Sequence, residues 1–485
     1  MMSSSHNSLK AECEATTVGQ FQFISIQTPD DAKDHAARRL ARSHAVKHAL
    51  RNKRKTQQDS MDNFRVMTSQ DKPARFVKRR MRVRTIATPL LSPSIGKLDP
   101  FQTLAVDCSR LQALLNDYAA RQAPEPVFSV SEELAFQSFS SVFRTGLVDP
   151  ALLSAVMLSL AFAVAGHSIN RECLGYQGQA IGYVRERMSS LGEATSESTI
   201  GAILLLAGVE ACLGMTSQVQ LHMGAVRLLL KVCQTQGIFL TSGIKRAIFW
   251  QDLNSSVLAG SSRIVDHTTF SELQWTRDPL PRRFFRLSPG FQMRSHLFPN
   301  EFLEVLEDLH ALQCIRNIPI FKKCDTTMMA RINNHTAFIQ SKLMGFLDLS
   351  PAMSCCRLAA YLCSAMLCCR VWCSLVIPPH VSSQLLREIQ MANDDPVWDD
   401  HPDLLLWLLF IGGAFAPAGV VRSNYIVLLR LNNADRFGDL YESWSELLSI
   451  LKQFTWSEKA FMIHFKAFWE EASSTSDGLA RTLLE

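Results

Sequence analysis

TIGAILLLAGVEACLGMTSQVQLHMGAVRLLLKVCQTQGIFLTSGIKRAIFWQDLNSSVLAG, residues 199–260, decides the fold class. It divides into three apolar-periodic segments with short polar breaks between them, the pattern of helices packed one after another. Ile203–Leu206, Val209, Ala211 and Leu213 make the first, whose single charge is Glu210. Leu221, Ala225, Val226, Leu228, Leu229 and Val232 make the second, with His222, Arg227 and Lys231 as its polar members. Ile244, Ala247, Ile248, Trp250 and Leu253 make the third. A helix that is apolar nearly all round has to be enclosed by others, so the trio is expected at the centre of a large all-α domain. A buried carboxylate without a partner is costly. Glu210 is therefore expected to meet His222, Arg227 or a backbone donor, and Glu210, His222, Arg227 and Asp252 form the expected polar core.

Outward from this centre the helical period continues. Toward the N-terminus, Phe101, Leu104, Ala105, Cys108, Leu111, Leu115 and Tyr118 fall on one helix face. Further helices are expected at about 131–145, 150–167, 170–191, 301–315, 326–347, 352–376, 380–392, 402–432, 434–454 and 458–472. Residues 261–300, rich in Pro, Arg and Phe (DPLPRRFFRLSPGF), break the rhythm as one long loop. No repeat of fixed period is visible. The longest apolar run, Ala151–Gly166, is short of the roughly 20 residues that span a bilayer, so it reads as a buried helix and no membrane partner is expected.

The chain has 485 residues and a formal net charge of +5, which conceals an asymmetry. Residues 1–84 hold 18 Lys/Arg and 8 Asp/Glu, a net of +10; the other 401 hold 32 and 37, a net of −5. A basic head on a mildly acidic helical body suits an arm that meets a polyanion. Two runs carry the charge. Residues 33–55 contain nine Lys/Arg and one acid, Asp34, with cations on every side of any helix and no apolar stripe to dock on a core. Residues 72–84 contain seven Lys/Arg and no acid. Arg38, Arg39, Arg42, His44, Lys47, Arg51, Lys53, Arg54, Lys55, Lys78, Arg79, Arg80, Arg82 and Arg84 are the candidate residues for nucleic-acid contact or nuclear import, between which such runs do not discriminate. Acidic lipid is a third polyanion that the interleaved Phe76, Val77, Met81 and Val83 would suit.

Other polar groupings have plainer explanations. Cys355, Cys356, Cys363, Cys368, Cys369 and Cys373 crowd one apolar helix. A metal needs three or four thiolates converging on a point, which a straight helix does not supply, so core packing is expected. Asp394, Asp395, Asp399, Asp400, His401 and Asp403 border Pro396 and Pro402, and helix capping accounts for acids there. No metal, no cofactor and no catalytic residue is expected: H-E-x-x-H, G-x-S-x-G, G-x-G-x-x-G and Walker patterns are all missing from the sequence. A catalytic His222 beside Glu210 and Arg227 is the alternative to a polar pair that fixes helix register. The thirteen cysteines include no C-x-x-C pair, and the first 20 residues hold no apolar signal segment.

The E-x-x-x-G run Glu210–Gly214, the L-H-M-G run Leu221–Gly224 and the W-Q-D-L run Trp250–Leu253 with Gly260 resemble the regulatory region of fungal-specific transcription factors. His401–Ala416 (HPDLLLWLLFIGGAFA) resembles a later helix of that family, and Asp99–Leu104 with Tyr118 an earlier one. The opening Phe21, Phe23, Ile24 and Pro29, followed by Arg39, Leu40, Arg42, Ser43, His44 and Val46, resembles members that lack the six-cysteine binuclear zinc cluster. The resemblance implies a nuclear regulator of transcription, not an enzyme, often devoted to one pathway or gene cluster such as those of secondary metabolism. Implied partners are DNA, contacted without sequence specificity through the basic arm, and another transcription factor or a second copy of the chain. The alternative is an interaction protein that contacts no DNA and docks on another factor through its helical surface. The layout expected is a disordered tail (1–19), an F-x-F strand and basic helical arm (20–55), a disordered basic linker (56–97), a helical regulatory domain (98–475) and a short tail (476–485).

Overall fold

The computed structural model describes residues 106–117, 149–278, 280–317, 326–347, 349–367, 376–438 and 440–482. They lie within one compact unit, Pro89–Glu485, and among them every regular element is helical. The tail, arm and linker expected before residue 98, the helix expected at 131–145, and Cys368, Cys369 and Cys373 lie outside the described residues.

Residues 106–273 build a first core. Helix α1 (Cys108–Asn116) starts at Asp107, whose carboxylate accepts from Ser109 N, and buries Leu111, Gln112 and Leu114. Helix α2 (Pro150–Val164) is capped by Asp149, with Pro150 at its first position, where a missing N–H costs nothing. Every residue from Ala151 to Ala163 is buried. Helix α3 (Arg171–Arg187), capped by Asn170, packs along it; the short α4 (Leu191–Ala194) leads to α5 (Glu197–Cys212), which packs against both. Helix α5 is buried from Thr199 to Ala211, as its composition requires, and α6 (Thr216–Gln236) and α7 (Ser242–Ala259) enclose it. Burial of each Leu or Ile of α5 stabilises the fold by about 1.5–3 kcal/mol. Gly237 and Gly260 end α6 and α7 in the left-handed conformation, at φ 63° and 64°, where a side chain would be strained.

Residues 291–472 build a second core. After α8 (Pro289–Met293) come α9 (Asn300–Asn317), α10 (Thr326–Gly345), α11 (Pro351–Leu367), α12 (Ile377–Met391) and α13 (Val397–Asp400). They are followed by α14 (Pro402–Phe415), α15 (Val420–Asn432), α16 (Trp444–Leu451) and α17 (Met462–Thr482). Helix α14 is the axis: all of Leu404–Phe415 is buried, against α11, α12, α15, α16 and α17. Trp407 stacks on Phe454 with ring centroids 5.4 Å apart, and Phe291 meets both edge-on.

Three expectations need correction. The periodic stretch 402–432 is two helices, because Pro417 cannot continue α14 and Gly419 turns the chain at φ 102°. In 434–454 only α16 is α-helical; a π-helical turn, Asn433–Phe437, precedes it, and Ser443 with Glu446 forms the capping box that starts it. Residues 261–300 are also not one featureless loop, since they contain the 3-10 turns Ser271–Leu273, Arg282–Phe284 and Ser295–Leu297 as well as α8. Helix α17 runs from Met462 to Thr482.

Candidate functional site in the helical core

Glu210 lies near the end of α5, 3% exposed. Residues 213–215 turn the chain into α6, which returns His222 to it: Nε2 stands 3.1 Å from Oε2 and 3.3 Å from Oε1. Gln177 of α3 donates from Nε2 to Oε1 at 3.2 Å. One carboxylate thus joins three helices. Arg227 is exposed and forms no ion pair with it among the described residues; its position is five residues past His222, on the solvent face of α6.

Asp252 belongs to a second cluster. It is 1% exposed on α7 and accepts from Arg263 Nε at 2.8 Å, Ile264 N at 3.0 Å and Val265 N at 3.2 Å. Burial raises its pKa, against the opposing pull of Arg263 and the backbone donors. The Arg263 guanidinium lies 5.3 Å from the Phe249 ring centre. Asp252 therefore fastens the segment after α7 to the helix it has just left. Each arrangement satisfies a buried charge and fixes the course of the chain, and neither presents a nucleophile with a base.

A third cluster was not legible in the sequence. His335 of α10 is wholly buried, stacked on Trp275 with centroids 3.9 Å apart, and its Nε2 is 3.5 Å from Asp308 Oδ1 on α9. Arg277 completes it, 3.2 Å from Asp308 and 2.9 Å from Glu307. Its members come from the irregular stretch and from two helices, so no periodicity relates them.

Cys355, Cys356 and Cys363 are buried in α11, and burial pushes the Cys355 thiol up to about 12 and the other two well above the ordinary value. No group of three or more His, Cys, Asp or Glu able to hold a metal occurs among the described residues. The acids near α13 serve local purposes: Asp395 accepts from Val397 N at 3.0 Å, Asp399 pairs with Arg436 at 2.7 Å, and Asp403 pairs with Arg294. No described helix is long and apolar enough to cross a membrane. The cations of the arm, from Arg38 to Arg84, lie outside the described residues.

Residues 114–298, which include both the Glu210 and the Asp252 clusters, match the family model of the fungal specific transcription factor domain. That stretch of the chain is similar to this domain. No curated protein and no solved structure matches the chain. The fungal transcription factor domain points to a transcriptional regulator, in a family that is generally not enzymatic. The match ends at residue 298, at the entry to α9, so the second core lies almost wholly beyond it.

Proposed function

We propose that the chain is a nuclear regulator of transcription without a zinc cluster of its own, attached to DNA through its two basic runs. The charge distribution carries this reading: sixteen Lys/Arg in residues 33–55 and 72–84 face one acid, while the remainder of the chain from residue 85 is net acidic. Arg38, Arg39, Arg42, His44, Lys47, Arg51, Lys53, Arg54 and Lys55 form the first contact set; Lys78, Arg79, Arg80, Arg82 and Arg84 form the second, and the same runs serve as the nuclear address. Such contacts hold phosphates and read no bases. Specificity for one pathway or gene cluster then comes from a partner factor or a second copy of the chain. The domain layout stated above, with the helical part acting as the regulatory domain, belongs to the same proposal.

Release of counter-ions makes phosphate binding steeply dependent on salt. With half of the sixteen cations engaged, duplex affinity should fall by roughly four orders of magnitude between 50 and 200 mM salt. Deleting residues 1–85 should abolish DNA retention and nuclear accumulation and leave the helical part folded. A truncated protein that still occupies the same promoters would transfer the function to the helical part. That outcome belongs to the second reading, a cofactor that contacts no DNA. Its supporting observation is on α6, where Leu221 and Leu228, seven residues apart on one face, are 72% and 61% exposed.

A further inference from the structure

The end of α7 and helices α10, α11 and α12 enclose a cavity of about 400 Å³, the size of a small-molecule site. It lies where the two cores adjoin. Leu258 and Met344, which pack against both cores, form part of its wall.

Arg357 is the one charged residue of α11. A cation in such a helix is ordinarily paired or left in water. Arg357 is half-buried, its Nε is sealed from solvent without a hydrogen-bond partner, and its Nη1 reaches Met344 Sδ at 3.9 Å. No carboxylate lies within ion-pair distance of it among the described residues, and no acid lines the cavity. Burial accordingly lowers the pKa of the guanidinium, and the more distant Glu388 opposes this in part.

Helix α12 presents His380, Gln384 and Arg387 to the same space, at the i, i+4 and i+7 positions of one face. Gln384 Nε2 lies 2.9 Å from His380 Nε2 and 3.4 Å from Val257 O. Burial holds His380 below its ordinary pKa, so the ring is neutral near pH 7 and accepts from Gln384. Arg387 is exposed, so the cavity reaches solvent beside a second guanidinium.

We propose that this cavity binds a small organic carboxylate, its charged group held by Arg357 and Arg387 and its apolar body lying against Leu258, Met344 and Leu358. The planar guanidinium fork matches a carboxylate, and the apolar part of the wall suits a hydrocarbon body better than a free inorganic anion. Because the wall belongs to both cores, an occupant stabilises their junction. The proposal is independent of how the chain meets DNA.

The test uses the full chain and a panel of monocarboxylates, straight-chain from acetate to decanoate together with benzoate and phenylacetate. 1-Octanol and inorganic phosphate serve as controls at matched ionic strength. At least one carboxylate of the panel should raise Tm by about 2 °C or more at saturation, with calorimetric binding, and neither control should. Arg357→Met should weaken that binding at least tenfold. Arg387→Gln, at an exposed position that does not threaten folding, should weaken it several-fold. The proposal falls if no carboxylate binds, if 1-octanol or phosphate has the same effect, or if Arg387→Gln and a folded Arg357→Met both bind as the parent does.

Discussion

Tyr425 lies over Gly412 so closely that a Cβ built on the glycine would collide with the ring and its hydroxyl. The hydroxyl donates to Ser382 O at 2.7 Å, and Ser382 Oγ donates to Gly412 O at 2.8 Å. Helices α12, α14 and α15 are locked together at this point. Gly412→Ala should destabilise the second core by about 1–3 kcal/mol or more through overpacking. Tyr425→Phe keeps the ring and loses one buried hydrogen bond, about 1 kcal/mol. Urea unfolding of the two variants checks the order, and an alanine variant as stable as the parent would refute the packing.

At Glu210, truncation should cost more than neutralisation. Glu210→Ala strands His222 and Gln177, at about 1–3 kcal/mol. Glu210→Gln retains an acceptor for one of them and should lose less. Arg227→Ala, on the exposed face of α6, should fall within about 0.5 kcal/mol of the parent. Equal losses at Glu210 and Arg227 would contradict the assignment of partners.

Acid should weaken the fold well above the range in which carboxylates titrate. Burial lowers the pKa of His267, His310, His335, His380, His401 and His464 below the ordinary 6.5. Below 6.5 the unfolded chain then binds more protons than the folded one. The stabilisation is complete above about pH 6.5 and is lost as pH falls through the lowered folded values. His335 should contribute strongly: burial opposes its charge and so does Arg277, while Asp308 alone favours it. Thermal unfolding from pH 7 to 5 should show a falling Tm, with a shallower slope in His335→Gln. A flat profile in the parent would rule this out.

The thiols of α11 should be inert in the native protein. A raised pKa and full burial both suppress thiolate attack, so Cys355, Cys356 and Cys363 should react with Ellman's reagent only on unfolding. Cys363→Ala should cost about 1 kcal/mol through the small void it leaves. Rapid labelling of these cysteines in folded protein would show that α11 opens readily.

Helices α2, α5 and α14 were the most legible elements, because a segment apolar on every side can only be an interior helix and each is long enough to be read as one. The break between α14 and α15 was harder to see, since apolar residues resume at once after Pro417 and Gly419. The pairing of Glu210 with His222 followed from a short turn and the cost of an isolated buried charge. The cluster of His335, Asp308, Arg277 and Trp275 had no such clue, since its partners are up to 60 positions apart and meet only through tertiary packing. Arg357 did leave a signal: it is the lone cation in PAMSCCRLAAYLCSAML. Only the surrounding helices reveal that this charge faces a cavity.

The two cores are sequential along the chain, and the order in which they are synthesised follows from this. All buried members of the first, apart from Ala337, precede residue 274, and almost all of the second lie after residue 290. During synthesis the first core can therefore collapse while the second is still untranslated, as successive units of large proteins do. Val257, which is carried on α7 but buried with the second core, stays uncovered during that interval together with Leu258. This end of α7 is thus the adhesive surface of the nascent chain, and the site where a chaperone would be needed until α11 and α12 arrive.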